Sequence, residues 1–296
     1  MKKKFLILFS ALTIILTGCS SGGGDSITVG TITSTETKVM AHIYKQLIED
    51  QTDLTVEIKE DLATSPVVIE SMKAGDLQGS TQYTGTSLSS FFTIENPQDS
   101  EATLQQAKDD FGGDEFNFKW FDSLGFANTY VFTVREEVAE EYGLEKVSDL
   151  EDVAGDLRAG FDTAWLEREE DGYPAFKEMY GFEFGETRPM EISLVYDAVY
   201  NEEMDIVLAY STDARIQEYN LVMLEDDKNF FPPYDASPVF TQESIDEHPE
   251  IAEALEPLAG LIDEETMGKL NGEVDIHGKS LEETAENFLK EQGLLE

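Results

Sequence analysis

Strand-like and helix-like patterns alternate along the first part of the chain that follows an N-terminal apolar stretch. Apolar and polar residues alternate over residues 27–32 and 54–58, which predicts two strands. The segment between them, residues 36–50, is predicted to be a helix because four apolar residues share one of its faces: Val39, Met40, Ile43 and Leu47. Ser65-Pro66 predicts an N-cap followed by proline at the first position of a second helix, which ends near Gly75. This order implies parallel strands joined by crossover helices.

A second set of elements begins near residue 128. A strand is predicted over residues 130–134, mixed turn and helix over 162–179, a helix over 190–200 and a short buried strand over 206–209. Pro232-Pro233 then predicts a sharp turn. The second half therefore has the same α/β character as the first.

The last part of the chain returns towards the first set of elements. Val239-Phe240 is predicted to start the return strand, and helices are predicted over residues 246–261 and 281–292. Ser280 and Glu283 match a capping box at the start of the last helix. We therefore expect two α/β lobes with a ligand cleft between them, because ligands prefer such interfaces. Lobe one is predicted to comprise residues 27–127 and 235–296, and lobe two residues 128–234.

The N-terminus is typical of an exported protein. Three lysines, an apolar stretch over residues 5–16 and the sequence Leu16-Thr17-Gly18-Cys19 follow the initial methionine. The last four residues resemble the bacterial lipobox, which implies a signal peptide over residues 1–18 and lipid modification of Cys19. Residues 19–26, with three consecutive glycines, are then the lipidated cysteine and a flexible tether. The alternative is an uncleaved N-terminal membrane anchor.

The chain is strongly acidic. Its formal net charge is −42, and removal of residues 1–18, which carry three lysines and no acid, makes the charge −45. Nucleic acid and anionic lipid are poor partners for such a surface. A heavily hydrated surface and an adaptation to saline surroundings both explain this composition. Because Cys19 is the only cysteine, the chain has no internal disulfide.

The sequence contains no pattern typical of catalysis or metal binding. The three histidines, His42, His248 and His277, lack the helical spacing of a metal-binding pair. A nucleophile elbow, a phosphate-binding glycine loop and the alternating ligands of a calcium loop are all missing. We therefore expect no catalytic residues, no metal and no cofactor.

Tyrosines provide a stronger signal. Tyr83, Tyr130, Tyr210 and Tyr234 lie beside small or polar residues at predicted strand ends and turns, whereas core tyrosines usually have apolar neighbours. Burial in the core remains the alternative for each of them. Tyrosine faces that converge on a cleft would bind a quaternary ammonium group, at about 0.5–2 kcal/mol per face.

Several of these motifs together resemble one family, the glycine betaine/carnitine/choline-binding lipoproteins of osmoprotectant ABC importers. The motifs are Tyr83-Thr-Gly-Thr86, Asn128-Thr-Tyr130, Asp171-Gly-Tyr-Pro174, Ala209-Tyr-Ser-Thr-Asp213 and the segment 224–234. The resemblance implies a type II periplasmic-binding-protein fold that closes on its ligand by hinge motion. It also implies delivery of the ligand to ABC permease subunits, and a location on the extracytoplasmic face of the cell membrane.

The resemblance also assigns ligand-binding residues. Tyr130, Tyr210 and Tyr234 match positions of the family's tyrosine cage, and Tyr83 lies close to it. Thr86 matches the position that contacts the polar tail of the ligand. Because a threonine hydroxyl donates to a carboxylate, whereas the aspartate of choline-restricted relatives would repel it, Thr86 favours betaine-like zwitterions.

The sequence departs from the family pattern at two places. A further cage tyrosine is replaced near Leu104 or Gln106, which leaves the cage open on one side or filled by another aromatic residue, Phe92 or Trp120. Thr37 stands where the family commonly has a glutamine that reaches the ligand, so this contact is either lost or relayed by water.

The leading hypothesis is a solute-binding lipoprotein for a glycine betaine-like compatible solute. Ergothioneine, carnitine and choline are the alternative ligands within the same class, given the altered cage. A surface enzyme or an adhesin is disfavoured, because the sequence has neither a catalytic constellation nor repeats.

Overall fold

The computed structural model describes residues 25–168 and 172–295. The predicted signal peptide and Cys19 lie outside these ranges, as does Asp171 of the motif at residues 171–174. Over the described ranges, no helix has the length and apolar character needed to cross a membrane.

The described chain alternates strands and helices from Ser26 to Glu291. The strands are β1 (Ser26–Ile32), β2 (Thr55–Leu62), β3 (Gly79–Tyr83), β4 (Phe118–Trp120), β5 (Tyr130–Arg135), β6 (Arg158–Asp162), β7 (Glu186–Met190), β8 (Ile206–Tyr210), β9 (Leu221–Leu224) and β10 (Ala236–Thr241). The helices are α1 (Thr35–Gln51), α2 (Ser65–Lys73), α3 (Thr84–Phe91), α4 (Ser100–Phe111), α5 (Glu136–Tyr142), α6 (Thr163–Glu167), α7 (Tyr173–Tyr180), α8 (Val195–Tyr200), α9 (Ala214–Glu218), α10 (Gln242–Glu247), α11 (Glu250–Leu255), α12 (Glu264–Asp275) and α13 (Leu281–Glu291).

The strands form two five-stranded sheets. The first sheet has the order β2-β1-β3-β10-β4 and the second has the order β7-β6-β8-β5-β9. In the first sheet β1 pairs in parallel with β2 and β3, as the sequence predicts, and β10 returns antiparallel to β3. In the second sheet β6 is parallel to β7 and β8, whereas β5 is antiparallel to β8 and β9.

Each sheet is covered by helices on both faces. On one face of the first sheet, α1, α11, α12 and α13 enclose Val29 and Phe240, and on the other face α2, α3 and α4 enclose Val239 and Trp120. The second sheet has an aromatic core on one face, which includes Phe132, Phe161 and Trp165, and a smaller core on the other. Two separately buried cores make two lobes.

The chain crosses between the sheets twice, and the two crossings lie side by side. Ala127 and Asp235 form an antiparallel bridge, and Ala236 N–H donates to Phe126 C=O over 3.0 Å. On the second-lobe side, Ser211 Oγ donates to Ala127 C=O over 2.8 Å. Adjacent crossings of this kind are where a hinge between lobes is expected.

A third connection joins the lobes through α9 and α12. A Cβ atom added to Gly268 would lie 3.0 Å from Gln217 Nε2, and one added to Gly272 would lie 3.3 Å from Ala214 Cβ. Gln217 Nε2 also donates to Glu265 C=O over 2.6 Å. The two glycines, four residues apart, therefore let α12 approach α9 closely, while α12 also contacts α1 and α13.

Three of the predicted elements are wrong in detail. The second helix begins at Ser65 with Thr64 as its N-cap, so Ser65 is a helical residue instead of the cap. The helix predicted over 190–200 is α8 alone, because Met190 ends the edge strand β7 and a short 3-10 turn follows.

The third error concerns the helix predicted over 246–261. It is broken into α10, α11 and a 3-10 turn, because Pro249 and Pro257 cannot continue a helical ladder. The last helix agrees with its predicted extent, and Ser280 Oγ accepts from Glu283 N–H over 3.1 Å, which is one of the two hydrogen bonds of the predicted capping box.

Candidate ligand-binding site

Two of the predicted cage tyrosines lie directly opposite each other in the second sheet. Tyr130 begins β5, Tyr210 ends β8, and the antiparallel register pairs them. Their rings stack with centroids 5.0 Å apart and planes inclined by 25°. Tyr210 is oriented further by Tyr196, whose hydroxyl accepts from the Tyr210 backbone N–H over 3.0 Å. The paired strands β5 and β8 therefore hold the Tyr130 and Tyr210 rings in a fixed, stacked arrangement.

Tyr130 also contacts an aromatic side chain and a cation. The ring of Phe231 lies 5.8 Å away, and the guanidinium of Arg168 lies 5.4 Å from the Tyr130 ring centroid. Phe231 is held by its backbone N–H, which donates to Asp226 Oδ2 over 2.9 Å. Burial raises the pKa of Tyr130, and the hydrogen bond with Tyr210 raises it further. The Tyr130 ring therefore remains a neutral phenol that already attracts a cation.

Tyr234 lies against the Tyr83-Thr-Gly-Thr86 motif. A Cβ atom on Gly85 would lie 3.1 Å from Tyr234 Cδ1 and 2.5 Å from Pro233 C=O, so a glycine is required for this approach. Thr86 follows in the first turn of α3 and is half-buried. The motif and the third cage tyrosine are thus in direct contact, although they are far apart in the sequence.

The stacked pair lies between two cavities. Tyr130 lines a cavity of about 620 Å³ together with Phe231 and Tyr234. Tyr210 lines a cavity of about 340 Å³ together with Glu36, Asn128 and Arg215, among others. Both volumes fall in the range of small-molecule sites. A further cavity of about 560 Å³ at the β4 edge of the first sheet contains none of the predicted cage tyrosines.

Tyr83 is buried beneath the site instead of lining it. Its side chain is 7% exposed, and its hydroxyl donates to Glu36 Oε1. Asn128 Nδ2 donates to the same oxygen over 3.2 Å. Burial and the adjacent Glu36 carboxyl group raise the pKa of Tyr83 well above its usual value. The structure therefore gives Tyr83 the role of a buried hydrogen-bond donor.

Thr37 does not extend into either cavity as a polar group. It is buried in the first turn of α1, where its hydroxyl lies 3.1 Å from Ser34 C=O and 3.0 Å from Ser34 Oγ. Its backbone N–H is capped by the same Ser34 side chain. Thr37 therefore secures the start of α1, and its predicted contact with the ligand stays a prediction.

Neither predicted substitute for the missing cage tyrosine lines the two cavities beside the stacked pair, although Trp120 lines the cavity at the β4 edge. Phe92 and Trp120 pack with Phe111 in the core between the first sheet and α4. Leu104 packs against the same core, and Gln106 donates to Thr93 C=O over 2.9 Å.

The aromatic residue beside Tyr130 is instead Phe231, which sequence reasoning missed. Its position in Phe-Phe-Pro-Pro-Tyr234, directly before two prolines and a cage tyrosine, was the available signal. Arg168 was also missed, because the motif at residues 171–174 begins three residues after it and does not include it.

The histidine, cysteine and carboxylate residues in the described ranges form no group that is able to hold a metal ion. What the geometry offers is aromatic surface with the Arg168 guanidinium beside Tyr130 and the Arg215 guanidinium in the cavity that Tyr210 lines. Such a site suits a ligand with a permanent positive charge at one end and an anionic group at the other.

Comparison with known proteins gives an independent description of the chain. Residues 25–291 match the family model for the substrate-binding domain of the ABC-type glycine betaine transport system. The carnitine transport binding protein of Listeria monocytogenes is 44% identical over 306 residues, covering 100% of this chain and 99% of that protein. A glycine-betaine-binding protein of Pseudomonas aeruginosa is 30% identical, covering 98% of this chain and 96% of that protein.

A solved structure gives the same result. The crystal structure of a glycine betaine/carnitine/choline ABC transporter protein superposes with a TM-score of 0.87 at 40% identity, covering 90% of this chain and 99% of that chain. The predicted fold class, two α/β lobes of the periplasmic-binding-protein type, is confirmed by this similarity and by the two sheets.

Proposed function

Because the chain belongs to the family of substrate-binding domains of ABC-type glycine betaine transport systems, we propose that its tyrosines capture a quaternary ammonium solute. Family membership makes the chain a transport binding protein and not an enzyme, as the sequence predicted. Proteins of this family work outside the cytoplasm with the permease subunits of an ABC importer.

The observation that carries the proposal is the position of Arg168 beside the stacked Tyr130–Tyr210 pair. A guanidinium at 5.4 Å from the Tyr130 ring marks a place where the negative face of the ring attracts a cation. A trimethylammonium group suits the other faces of this aromatic set, formed by Tyr130, Tyr210, Phe231 and Tyr234. A carboxylate on the same ligand would then be stabilised by Arg168 and by the Thr86 hydroxyl.

The energies are compatible with micromolar binding. Three or four aromatic faces at about 0.5–2 kcal/mol each, with one charge-assisted hydrogen bond of about 1.5–3 kcal/mol, give about 3–11 kcal/mol, a range that includes the ~8 kcal/mol of micromolar binding. Glycine betaine and carnitine both carry the two required charges. Carnitine is a second candidate because the Listeria relative, 44% identical, is a carnitine transport binding protein.

We propose further that the protein is anchored to the membrane by lipid and that its lobes move about a hinge. Residues 1–18 are a signal peptide in this proposal, and lipid on Cys19 with the glycine-rich tether keeps the lobes near the permease on the extracytoplasmic face. Residues 27–127 and 235–296 form lobe one, residues 128–234 form lobe two, and the paired crossings at Ala127 and Asp235 act as the hinge. The separate sheets support this division.

Isothermal titration calorimetry tests the proposal. A protein that starts at residue 20 keeps every described residue and is titrated with glycine betaine, carnitine, choline, ergothioneine and an uncharged amino-acid control. We expect at least one quaternary ammonium compound to bind, and Tyr210→Ala to weaken that binding by about 1 kcal/mol or more. Tyr142→Ala is the matched control, because Tyr142 is an exposed tyrosine on α5.

Two results would contradict the proposal. The absence of binding heat with every quaternary ammonium compound, at several salt concentrations, would reject the ligand class. Equal affinities for Tyr210→Ala and Tyr142→Ala would remove Tyr210 from the site.

A further inference from the structure

Glu36 is a buried carboxyl group at the junction of the two lobes. It lies in the first turn of α1, its side chain is 2% exposed, and its Oε1 accepts from Tyr83 and Asn128. Tyr83 belongs to the first sheet, whereas Asn128 belongs to the first crossing segment. The carboxyl group therefore links α1, the end of β3 and the hinge through one oxygen atom.

The other oxygen of Glu36 has no hydrogen-bond partner among the described residues, and it is closed to water. Thr212 and Asn271 also face this carboxyl group. Asn271 is itself incompletely paired: its Nδ2 donates to Thr212 C=O over 2.9 Å, which leaves its Oδ1 as a second buried acceptor without a described donor. Two unpaired acceptors at one junction are unfavourable, because each costs about 1–3 kcal/mol.

A single proton on Glu36 would give both unpaired acceptor atoms a hydrogen-bond partner. A carboxylic acid has an O–H donor as well as an acceptor oxygen, so a proton on Glu36 Oε2 pairs with Asn271 Oδ1 while Oε1 keeps its two donors. An ionised carboxylate offers no donor to Asn271. The two unpaired acceptors, Glu36 Oε2 and Asn271 Oδ1, therefore favour the neutral acid.

We propose that Glu36 is held as a neutral carboxylic acid that donates to Asn271, and that this bridge positions Asn128 and Thr212 for solute binding. Glu36 and Tyr210 line the same cavity of about 340 Å³. Glu36 is a positioning residue, because it holds the hinge and α12 in place and does not itself bind the solute. The link to solute affinity rests on the proposed function, whereas the protonation of Glu36 does not.

Burial and hydrogen bonding act on the pKa of Glu36 in opposite directions. Burial raises the pKa of Glu36, and the neighbouring side chains Tyr83, Thr212, Asn128 and Asn271 oppose this only in part. The other titratable or charged groups that line the cavity are Tyr210, Asp213, Arg215 and Asp275. Asp213 is paired with Arg215 at 2.7 Å, and Asp275 accepts from Thr35 over 2.7 Å. The described lining contains no histidine that would titrate near neutrality.

The raised pKa fixes the sign of the pH dependence. A group with a native pKa above its unfolded value stabilises the fold fully below the unfolded pKa, and this contribution is lost as the pH rises through the native pKa. The free energy of unfolding should therefore fall with rising pH over this window. The affinity for solute should fall as well, by up to about tenfold per pH unit above the native pKa.

The test compares Glu36→Gln with the parent protein and with Glu57→Gln, a control at an exposed position on β2. Glutamine imitates the neutral acid, because its amide donates to Asn271 and accepts from Tyr83 and Asn128. We expect Glu36→Gln to keep the solute affinity that the parent protein has at low pH, and to keep it unchanged as the pH rises. Its melting temperature should likewise lose the pH dependence assigned to Glu36, whereas Glu57→Gln should behave as the parent.

An infrared measurement tests whether Glu36 is protonated, and it depends neither on solute binding nor on the stability of a variant. The parent protein should show the carbonyl band of a buried carboxylic acid at neutral pH, and Glu36→Gln should lack it. The proposal is overturned if this band is missing from the parent protein, or if Glu36→Gln retains the parent's pH dependence. If no solute binds but the band and the stability profile agree with expectation, the proposed function fails while the protonation of Glu36 stands.

Discussion

Replacement of Gly85 by alanine should weaken solute binding by displacing Tyr234. A Cβ atom at this position would lie 2.5 Å from Pro233 C=O and 3.1 and 3.2 Å from two carbon atoms of the Tyr234 ring. An ordinary contact of 3.4 Å requires the carbonyl to retreat by about 0.9 Å. Thr84 opposes that retreat, because its N–H donates to Asp235 C=O over 3.1 Å and its hydroxyl donates to Pro233 C=O over 3.2 Å.

The size of the effect follows from what the displacement removes. The loss of one aromatic face from a bound cation costs about 0.5–2 kcal/mol, which is roughly a 2- to 30-fold increase in Kd. Overpacking costs a further 1–3 kcal/mol, approximately, in the free energy of unfolding. Calorimetric titration measures the first quantity and urea denaturation the second.

Gly155→Ala is the matched control for this experiment. No atom lies within 4 Å of a Cβ placed on Gly155, so the same chemical change should leave both affinity and stability near the parent values. Equal Kd values for Gly85→Ala and Gly155→Ala would refute the argument that Gly85 positions Tyr234. A loss of stability in Gly85→Ala without a loss of affinity would refute it as well.

Two further predictions concern stability. Asp205 accepts hydrogen bonds from Arg158 Nε and Nη2 over 2.9 and 2.7 Å, and this partner holds the pKa of the Asp205 carboxyl group below its usual value. Asp205→Asn should therefore lower the free energy of unfolding by about 1–2 kcal/mol at about pH 7. The difference between the variant and the parent should shrink as the pH falls below about 4. A difference that stays constant in urea denaturation between these pH values would contradict this prediction. Because the net charge is −42, added NaCl should screen the repulsion between surface carboxylates and raise Tm by roughly 2–4 °C per kcal/mol of relieved repulsion. An equal increase with sucrose at matched osmolality would refute a charge effect.

The elements that sequence reasoning predicted are those with a regular apolar pattern. β1, α1, β5 and β8 each carry apolar residues at the period of their structure, and they lie at the expected places. β3 was missed because all five of its residues are buried although most are polar. Hydrogen bonds make this burial possible: Thr81 pairs with Tyr44 over 2.9 Å, and Gln82 accepts from Ser87 over 3.2 Å. A polar strand of this kind has no hydrophobic period.

The site was predictable only where a motif recurs in the family. Tyr130, Tyr210 and Tyr234 were assigned from such motifs, and in the fold the first two stack while the third lies against Gly85; their role in binding stays a prediction. Arg168 and Glu36 were not singled out, because their positions depend on contacts between distant segments. Sequence spacing alone does not encode those contacts.

The close packing of α12 on α9 constrains how the molecule flexes. Two adjacent crossing segments alone would allow the second lobe to twist about the axis of the segments as well as to close towards the first lobe. Helix α12 packs against Ala214 and Gln217 of α9 and should resist such a rotation, because Gly268 and Gly272 allow the two helices to be in close contact. This packing should therefore restrict rotation between the lobes, and bulky side chains at either glycine should separate α12 from α9 without contacting the tyrosines.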